Sequence, residues 1–288
     1  MDFDKIFPDE RERGETPLRQ SQLVMLRMLK IMDYLCTKHG IEYFLTGGTL
    51  LGAIRHKGFI PWDDDMDIGM TRDNYEKFET LAVPELPNDI FFQTPETDIY
   101  FPSCGRVEAK LKDKYSTYKK SEEKMHQKHH LGLQVDIFVY DKAYFPHNAF
   151  LYALNRALEI RYWKVGPNNK SSKQRAKVLK RISKYAPFPL VYASSFVISR
   201  KMIKLGQCYK TEKELSQLIR TKFEDMDALI PIGWETYLER MYGDYMKLPP
   251  VNKQTGHHSA DLPDPFTPCE HSEVLYWKDR KHIGERAS

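Results

Sequence analysis

The chain has 288 residues, 41% of them hydrophobic and 29% charged, with a formal net charge of +4. That length can bury a full core, in one large domain or in a domain with a sizeable subdomain, and the composition excludes a disordered or membrane-spanning chain. The cysteines Cys36, Cys104, Cys208 and Cys269 are scattered with no C-x-x-C pair, so neither a zinc site nor a dense disulfide framework is indicated, and a reducing cytoplasm is the simplest compartment.

Residues 1–17 are charged, with no apolar segment behind a basic start. They read as a poorly ordered lead-in or an edge contact, and no signal peptide is expected. Leu18 to His39 reads as a helix, because Leu23, Leu26, Met28, Leu29, Met32 and Leu35 recur at helical spacing and Gly40 ends the run. Glu42 to Leu45 is β-prone and runs into Gly47-Gly48, after which Thr49 to Ile54 reads as helical. A strand, a glycine turn and a helix N-terminus aim backbone N–H groups at one spot, and that spot suits a phosphate. Thr49 offers a hydroxyl there, and Arg55, His56 and Lys57 bring positive charge. On the glycines alone, an ordinary tight turn is the simpler reading.

The next residues shift that balance. Gly58 and Pro61 break the helix, so the run Asp63-Asp64-Asp65 starts on a loop. Met66, Ile68 and Met70 alternate with Asp65, Asp67 and Gly69, which is a strand pattern. Asp65 and Asp67 then share one face, with Asp63 near them if the strand starts early. Parallel carboxylates repel unless a cation lies between them, and hard oxygen donors at this spacing suit Mg²⁺ or Mn²⁺. A solvated acidic turn accounts for Asp63 and Asp64, but not for Asp65 and Asp67 set among Met and Ile. An EF-hand loop is excluded: counted from Asp63, its sixth position is Ile68 and its twelfth Asn74.

Arg72 to Val83 reads as a further helix, and residues 90–120 as strands with loops. Leu131 to Val139 is mostly apolar and β-branched, as a central strand would be, with Asp136 in its middle. A carboxylate there is costly without a partner. It is either a core aspartate held by a salt bridge or amide, or a third metal ligand brought beside Asp65 and Asp67. His126, His129 and His130 precede the strand with no further ligand nearby, so a solvated loop is expected.

From residue 148 onward the chain reads as helical. Between Glu159 and Glu212 there is no acidic residue but thirteen Lys or Arg, interleaved with aromatics such as Tyr162, Trp163 and Tyr192. This stretch, residues 160–211, is either the basic outer face of a helical subdomain or a contact with an anionic membrane. A polyanionic glycan is another fitting partner, and no nucleic-acid module is present. Glu235 to Met246 reads as a helix closed by Pro249-Pro250. His257-His258 is a phosphate contact or a surface pair, and residues 260–288 have no assignable role.

The run GGTLLGAIRHKGFIPWDDDMDIGM, Gly47 to Met70, closely resembles the signature of the LicD family, which includes fukutin and fukutin-related protein. Tyr242-Gly243-Asp244-Tyr245-Met246 with its two prolines looks like the family's closing motif. The resemblance is strong over residues 18–140 and weaker over 235–258. It implies an α/β (α+β) fold with a nucleotidyltransferase-like core and a small mixed β-sheet, joined here to a mostly helical C-terminal half. The expected layout is a catalytic core over 1–145, a basic helical subdomain over 146–260 packing back on it, and a tail over 261–288. The family's activity implies transfer of a phospho-alcohol, such as phosphocholine, from a CDP-activated donor to a glycan hydroxyl with release of CMP. On this reading Asp63, Asp65, Asp67 and Asp136 bind the metal, the family's Asp-Ile-Phe pattern placing Asp136 among them. Gly47, Gly48, Thr49, Arg55 and Lys57 hold the donor. The protein is then cytoplasmic, with peripheral contact at the inner face of the membrane. Two alternatives stay open: a nucleotidyltransferase that uses an NTP and releases pyrophosphate, and a non-catalytic relative that binds glycan or membrane.

Overall fold

A computed structural model describes residues 2–98, 100–101, 107–119, 129–146, 191–197, 209–256 and 262–269. The long N-terminal helix, α2 (Pro17–His39), follows a short α1 (Phe3–Ile6). Its ends are chemically marked. The Thr16 side chain accepts a hydrogen bond from the Arg19 amide, Pro17 takes the first turn, and Gly40 closes the helix at φ 61°. Met25, Met28, Leu29, Met32, Leu35 and Cys36 form its buried stripe.

That stripe covers a mixed sheet. Strands β1 (Phe44–Leu45), β2 (Asp67–Thr71), β3 (Ile90–Gln93), β4 (Ala109–Asp113) and β6 (Gln134–Pro146) lie in the order β1-β2-β6-β4-β3. Only β2 and β6 run parallel among these pairs. The far half of β6 pairs with β7 (Val191–Val197), which pairs with β8 (Tyr209–Thr211). Strand alternation sorts the side chains. Ile68, Met70, Val135, Ile137, Val139, Ala109 and Leu111 belong to the core shared with α2. The register pairs Asp67 with Asp136, Gly69 with Phe138 and Lys110 with Asp136, which places these residues on the opposite face.

Between β1 and β2 lies α3 (Gly47–Arg55). A hairpin of β9 (Leu218–Phe223) and β10 (Met226–Pro231) packs against α3 and β1, and Phe223, Ala228 and Ile230 join the same core. The hairpin turn also fixes the chain that leads to the aspartates. The Glu224 carboxylate accepts from the Phe59 amide (3.0 Å) and pairs with Arg19. A Cβ on Gly58 would meet that carboxylate, so a larger residue there would push Glu224 aside. The last helix, α5 (Trp234–Tyr242), follows the hairpin and buries Tyr237 and Leu238.

Several expectations change. The first residues are built into the body: Phe3 is in the core, and the buried Arg11 guanidinium pairs with Asp113. The helix at Arg72 is α4 (Arg72–Lys77), which widens into a π-helical turn at Phe78–Ala82 and ends as a 3₁₀ turn at Val83–Glu85. Beyond residue 148 a mostly helical chain was expected. Among the described residues there, five strands occur and α5 is the only α-helix. The fifth strand, β11 (Leu262–Asp264), pairs with β5 (Thr117–Lys119), so part of the tail closes onto the body. His129 and His130 are buried rather than solvated: the His130 ring packs on Phe91 and its Nδ1 accepts from the Gly132 amide. His126, His257, His258, most of residues 160–211 and residues 270–288 lie outside the described residues.

Candidate active site

The site is assembled where β1 hands over to α3. Thr46 is locked to β2 through its amide, which donates to the Asp67 carbonyl. Gly47 follows at φ 57°, in the left-handed region. A Cβ there would lie 2.7 Å from Asp67 Oδ2, and one on Gly48 would lie 3.1 Å from Asp63 Oδ2. The two glycines therefore serve as more than a turn: their bare Cα atoms make room for two carboxylates. The Thr49 hydroxyl, expected to face a phosphate, accepts from the Asp67 amide at 2.8 Å and fixes the start of β2.

The acidic run then wraps the end of the strand. Asp63, Asp64 and Asp65 each offer an oxygen within 4.8 Å of the others. From α2, Gln22 Nε2 donates to the Asp63 carbonyl at 3.0 Å and anchors the loop. Strand β2 begins at Asp67, so Asp65 sits just before the strand rather than in it. Asp67 lies beside Asp136 in parallel register, and the Asp136 amide donates to the Met66 carbonyl. Sheet pairing thus brings Asp136 to the site, across a sequence distance that local pattern does not span.

The electrostatics follow from this crowding. Burial, followed by Asp65 and Asp64, raises the Asp63 carboxyl to about 8, and Arg55 opposes the rise. Asp67 is raised well above the carboxylate range by burial, then by Asp65, Asp136 and Asp63, with Lys110 opposing. Lys110 Nζ pairs with Asp136 Oδ1 at 2.7 Å. So Asp136 has the salt bridge of a core aspartate and the position of a ligand at once. The donor set is all carboxylate oxygen and holds more negative charge than Lys110 and Arg55 offset. That chemistry fits a hard divalent cation.

Of Arg55, His56 and Lys57, Arg55 reaches toward the site: its charge acts on Asp63, and its guanidinium donates to the Tyr245 carbonyl at 2.9 Å. Lys57 is exposed, at φ 58°, and its carbonyl accepts from the Glu224 amide.

Three contributors escaped the sequence reading, and a fourth was marked only by the closing motif. Lys110 announces itself only through strand pairing. Tyr118 donates its hydroxyl to Asp64 at 2.8 Å. Tyr242, at the end of α5, has its phenol raised by burial and by Tyr237, and then by the charges of Asp67, Asp63 and Asp65. Gly256 lies so close to Asp64 that a Cβ would meet the carboxylate at 2.7 Å. The closing motif signalled Tyr242; nothing in the sequence signalled the rest.

Comparison with known proteins bears on the family. A model of the nucleotidyltransferase domain of the LicD/FKTN/FKRP family matches residues 40–231. The chain is 31% identical over 267 residues to the lipopolysaccharide cholinephosphotransferase LicD of Haemophilus influenzae, an alignment covering 84% of this chain and 96% of that protein. A shorter match, 48% identical over 46 residues, joins it to the human ribitol 5-phosphate transferase FKRP, covering 16% of this chain and 9% of that protein. An uncharacterized protein of Rickettsia prowazekii is 46% identical over 66 residues, 23% of this chain and 25% of that protein.

Proposed function

The chain belongs to the LicD/FKTN/FKRP family of phosphotransferases, and from that premise we propose that it moves a phospho-alcohol, phosphocholine foremost, from a CDP-linked donor to a sugar hydroxyl of a cell-surface glycan, releasing CMP. The observation that carries this reading is the crowding of the Asp63 and Asp65 loop against Asp67 and Asp136 at the start of β2, beside the Gly47-Gly48 turn. The named relatives transfer phosphocholine or ribitol 5-phosphate, and both are phospho-alcohols.

On this reading Asp63, Asp65, Asp67 and Asp136 hold Mg²⁺ or Mn²⁺. Such a cation, when bound, supplies charge neutralisation at the diphosphate and lowers the pKa of the attacking hydroxyl. The amides at the N-terminus of α3 face the donor phosphates, with the helix dipole behind them. Arg55, tethered by the Tyr245 carbonyl, offsets the charge of the leaving CMP. Lys57 stands in solvent at the rim, where a role in donor capture is limited to long-range attraction. The carboxylate charges act on the Tyr242 phenol, and on this reading its hydroxyl orients the donor or acceptor.

The test is release of product from CDP-choline, CDP-ribitol, CDP-glycerol and plain NTPs, with Mg²⁺ and with EDTA. CMP from one CDP donor, lost with EDTA, supports the reading and names the alcohol. Pyrophosphate from an NTP assigns the site to nucleotidyl transfer instead. Glycan binding that survives EDTA, with no donor turned over, assigns the chain to a binding role.

A further inference from the structure

The segment from Tyr242 to Gly256 is a flap tied to the active site along its inner side. At one end the flap leaves α5 at Tyr242, and the Tyr245 ring meets Trp234 edge-on. In the middle the Tyr245 carbonyl holds Arg55. At the other end Gly256 rests on the Asp64 carboxylate. These ties fix which way the flap faces, and its apolar side chains point outward. Met246 is 56% exposed, Leu248 52% and Val251 83%. Three large apolar side chains within six positions are a costly thing to show to water at the mouth of a site. The flap is not loosely held: Pro249-Pro250 stiffens it, and the Lys253 amide closes a turn on the Pro250 carbonyl.

The charge of the flap selects its partner. Lys247 and Lys253 are exposed among the apolar residues, and the flap's one acidic residue, Asp244, precedes all three of them. Apolar side chains flanked by lysines match the acyl boundary and the anionic headgroups of a bilayer. We propose that the outer side of this flap docks on an anionic lipid bilayer, through Met246, Leu248 and Val251 with Lys247 and Lys253, and so presents the aspartate site to a membrane-borne acceptor. The proposal deepens the transferase reading and rests on it for the identity of the acceptor. It places the membrane contact on a described surface joined to the site, in residues outside the basic stretch 160–211 of the sequence.

The test uses the full chain and co-sedimentation with vesicles of phosphatidylcholine, with and without phosphatidylglycerol. Wild type should sediment with the anionic vesicles. The combined variant Met246→Asp, Leu248→Asp, Val251→Asp should lose binding at least about tenfold. Lys247→Glu and Lys253→Glu should each weaken it about fivefold, and only where phosphatidylglycerol is present. Val251→Asp alone repeats the test at the most exposed position, where the fold is least at risk. CMP release from a soluble CDP donor should be unchanged in each variant. Wild type remaining in the supernatant overturns the proposal. So does a triple variant that binds as tightly as wild type, which would move the contact to another surface. Should no CDP donor be turned over by wild type, the transferase reading fails while the vesicle result still stands.

Discussion

The two faces of the central sheet are made by the same strands and obey opposite rules. Toward α2, β2 and β6 present Ile68, Met70, Val135, Ile137 and Val139, all buried and packed in the main core. Toward the flap, the alternate residues are Asp67 and Asp136, with Lys110 from β4. One face gains stability by removing apolar surface from water. The other gathers like charges at a cost, with only one of the two strand carboxylates offset by a lysine. Stability and chemistry are thus separated by the pleat of a strand, and neighbouring residues can be changed to probe one without the other.

The sharpest test sets the two faces against each other. Asp67→Asn removes an ionisable carboxyl from the crowded face and keeps its shape. Activity should fall to background, while metal-free thermal stability should hold or rise, because a repelling carboxylate is gone. A parallel loss of stability would mean that Asp67 is a structural residue and that the comparison is drawn wrongly. Leu29→Ala is the converse. Leu29 is fully buried in the α2 stripe, and its truncation should cost about 2–5 kcal/mol in denaturant unfolding. Turnover per folded molecule should stay near wild type.

Much of the reactive face was legible because its information is local. The glycines, the helix start and the aspartates lie within 24 consecutive residues, Gly47 to Met70, and a lone carboxylate in the apolar run Leu131 to Val139 singled out Asp136. What stayed hidden depends on distance or on burial. Lys110 meets Asp136 only once β4 pairs with β6. Gly256 reaches Asp64 from the other end of the chain. His129 and His130 looked solvated by residue type, yet tertiary packing buries them. Val191 to Val197 is short, apolar and without turn signals, so its periodicity does not separate helix from strand, and the basic residues around it favoured the wrong choice. The charged N-terminus gave no hint that Arg11 would find Asp113 about a hundred residues away.

A smaller effect refines the comparison at its one compensated point. Lys110→Met leaves the Asp136 carboxylate beside Asp67 without its ammonium. Metal-free stability should fall by about 1–3 kcal/mol, since a largely buried charge loses its partner. Saturating Mg²⁺ should recover more stability in the variant than in wild type, because the cation then does the work of both positive charges. Equal gains in the two proteins would show that Lys110 and the cation act at separate places.

The last effect is a slope. The Asp63 carboxyl is raised to about 8 in the folded protein, against an ordinary value near 4 when unfolded. Between those values the folded protein holds a proton that the unfolded chain has released. Raising the pH therefore favours unfolding, and the metal-free protein should lose stability steadily from about pH 4 to about pH 8 through this group. Above about pH 8 both states are ionised there and the loss from Asp63 is complete. Asp63→Asn removes the titration but keeps the side chain's size, so its melting temperature should fall less than that of wild type across the same interval. With Mg²⁺ present the wild-type slope should flatten or reverse, because a bound cation favours the ionised carboxylates that rising pH produces. A wild-type slope equal to that of the variant would mean that Asp63 stays ionised in the fold, and that the repulsion among the aspartates is carried by Asp67 and its strand neighbours alone.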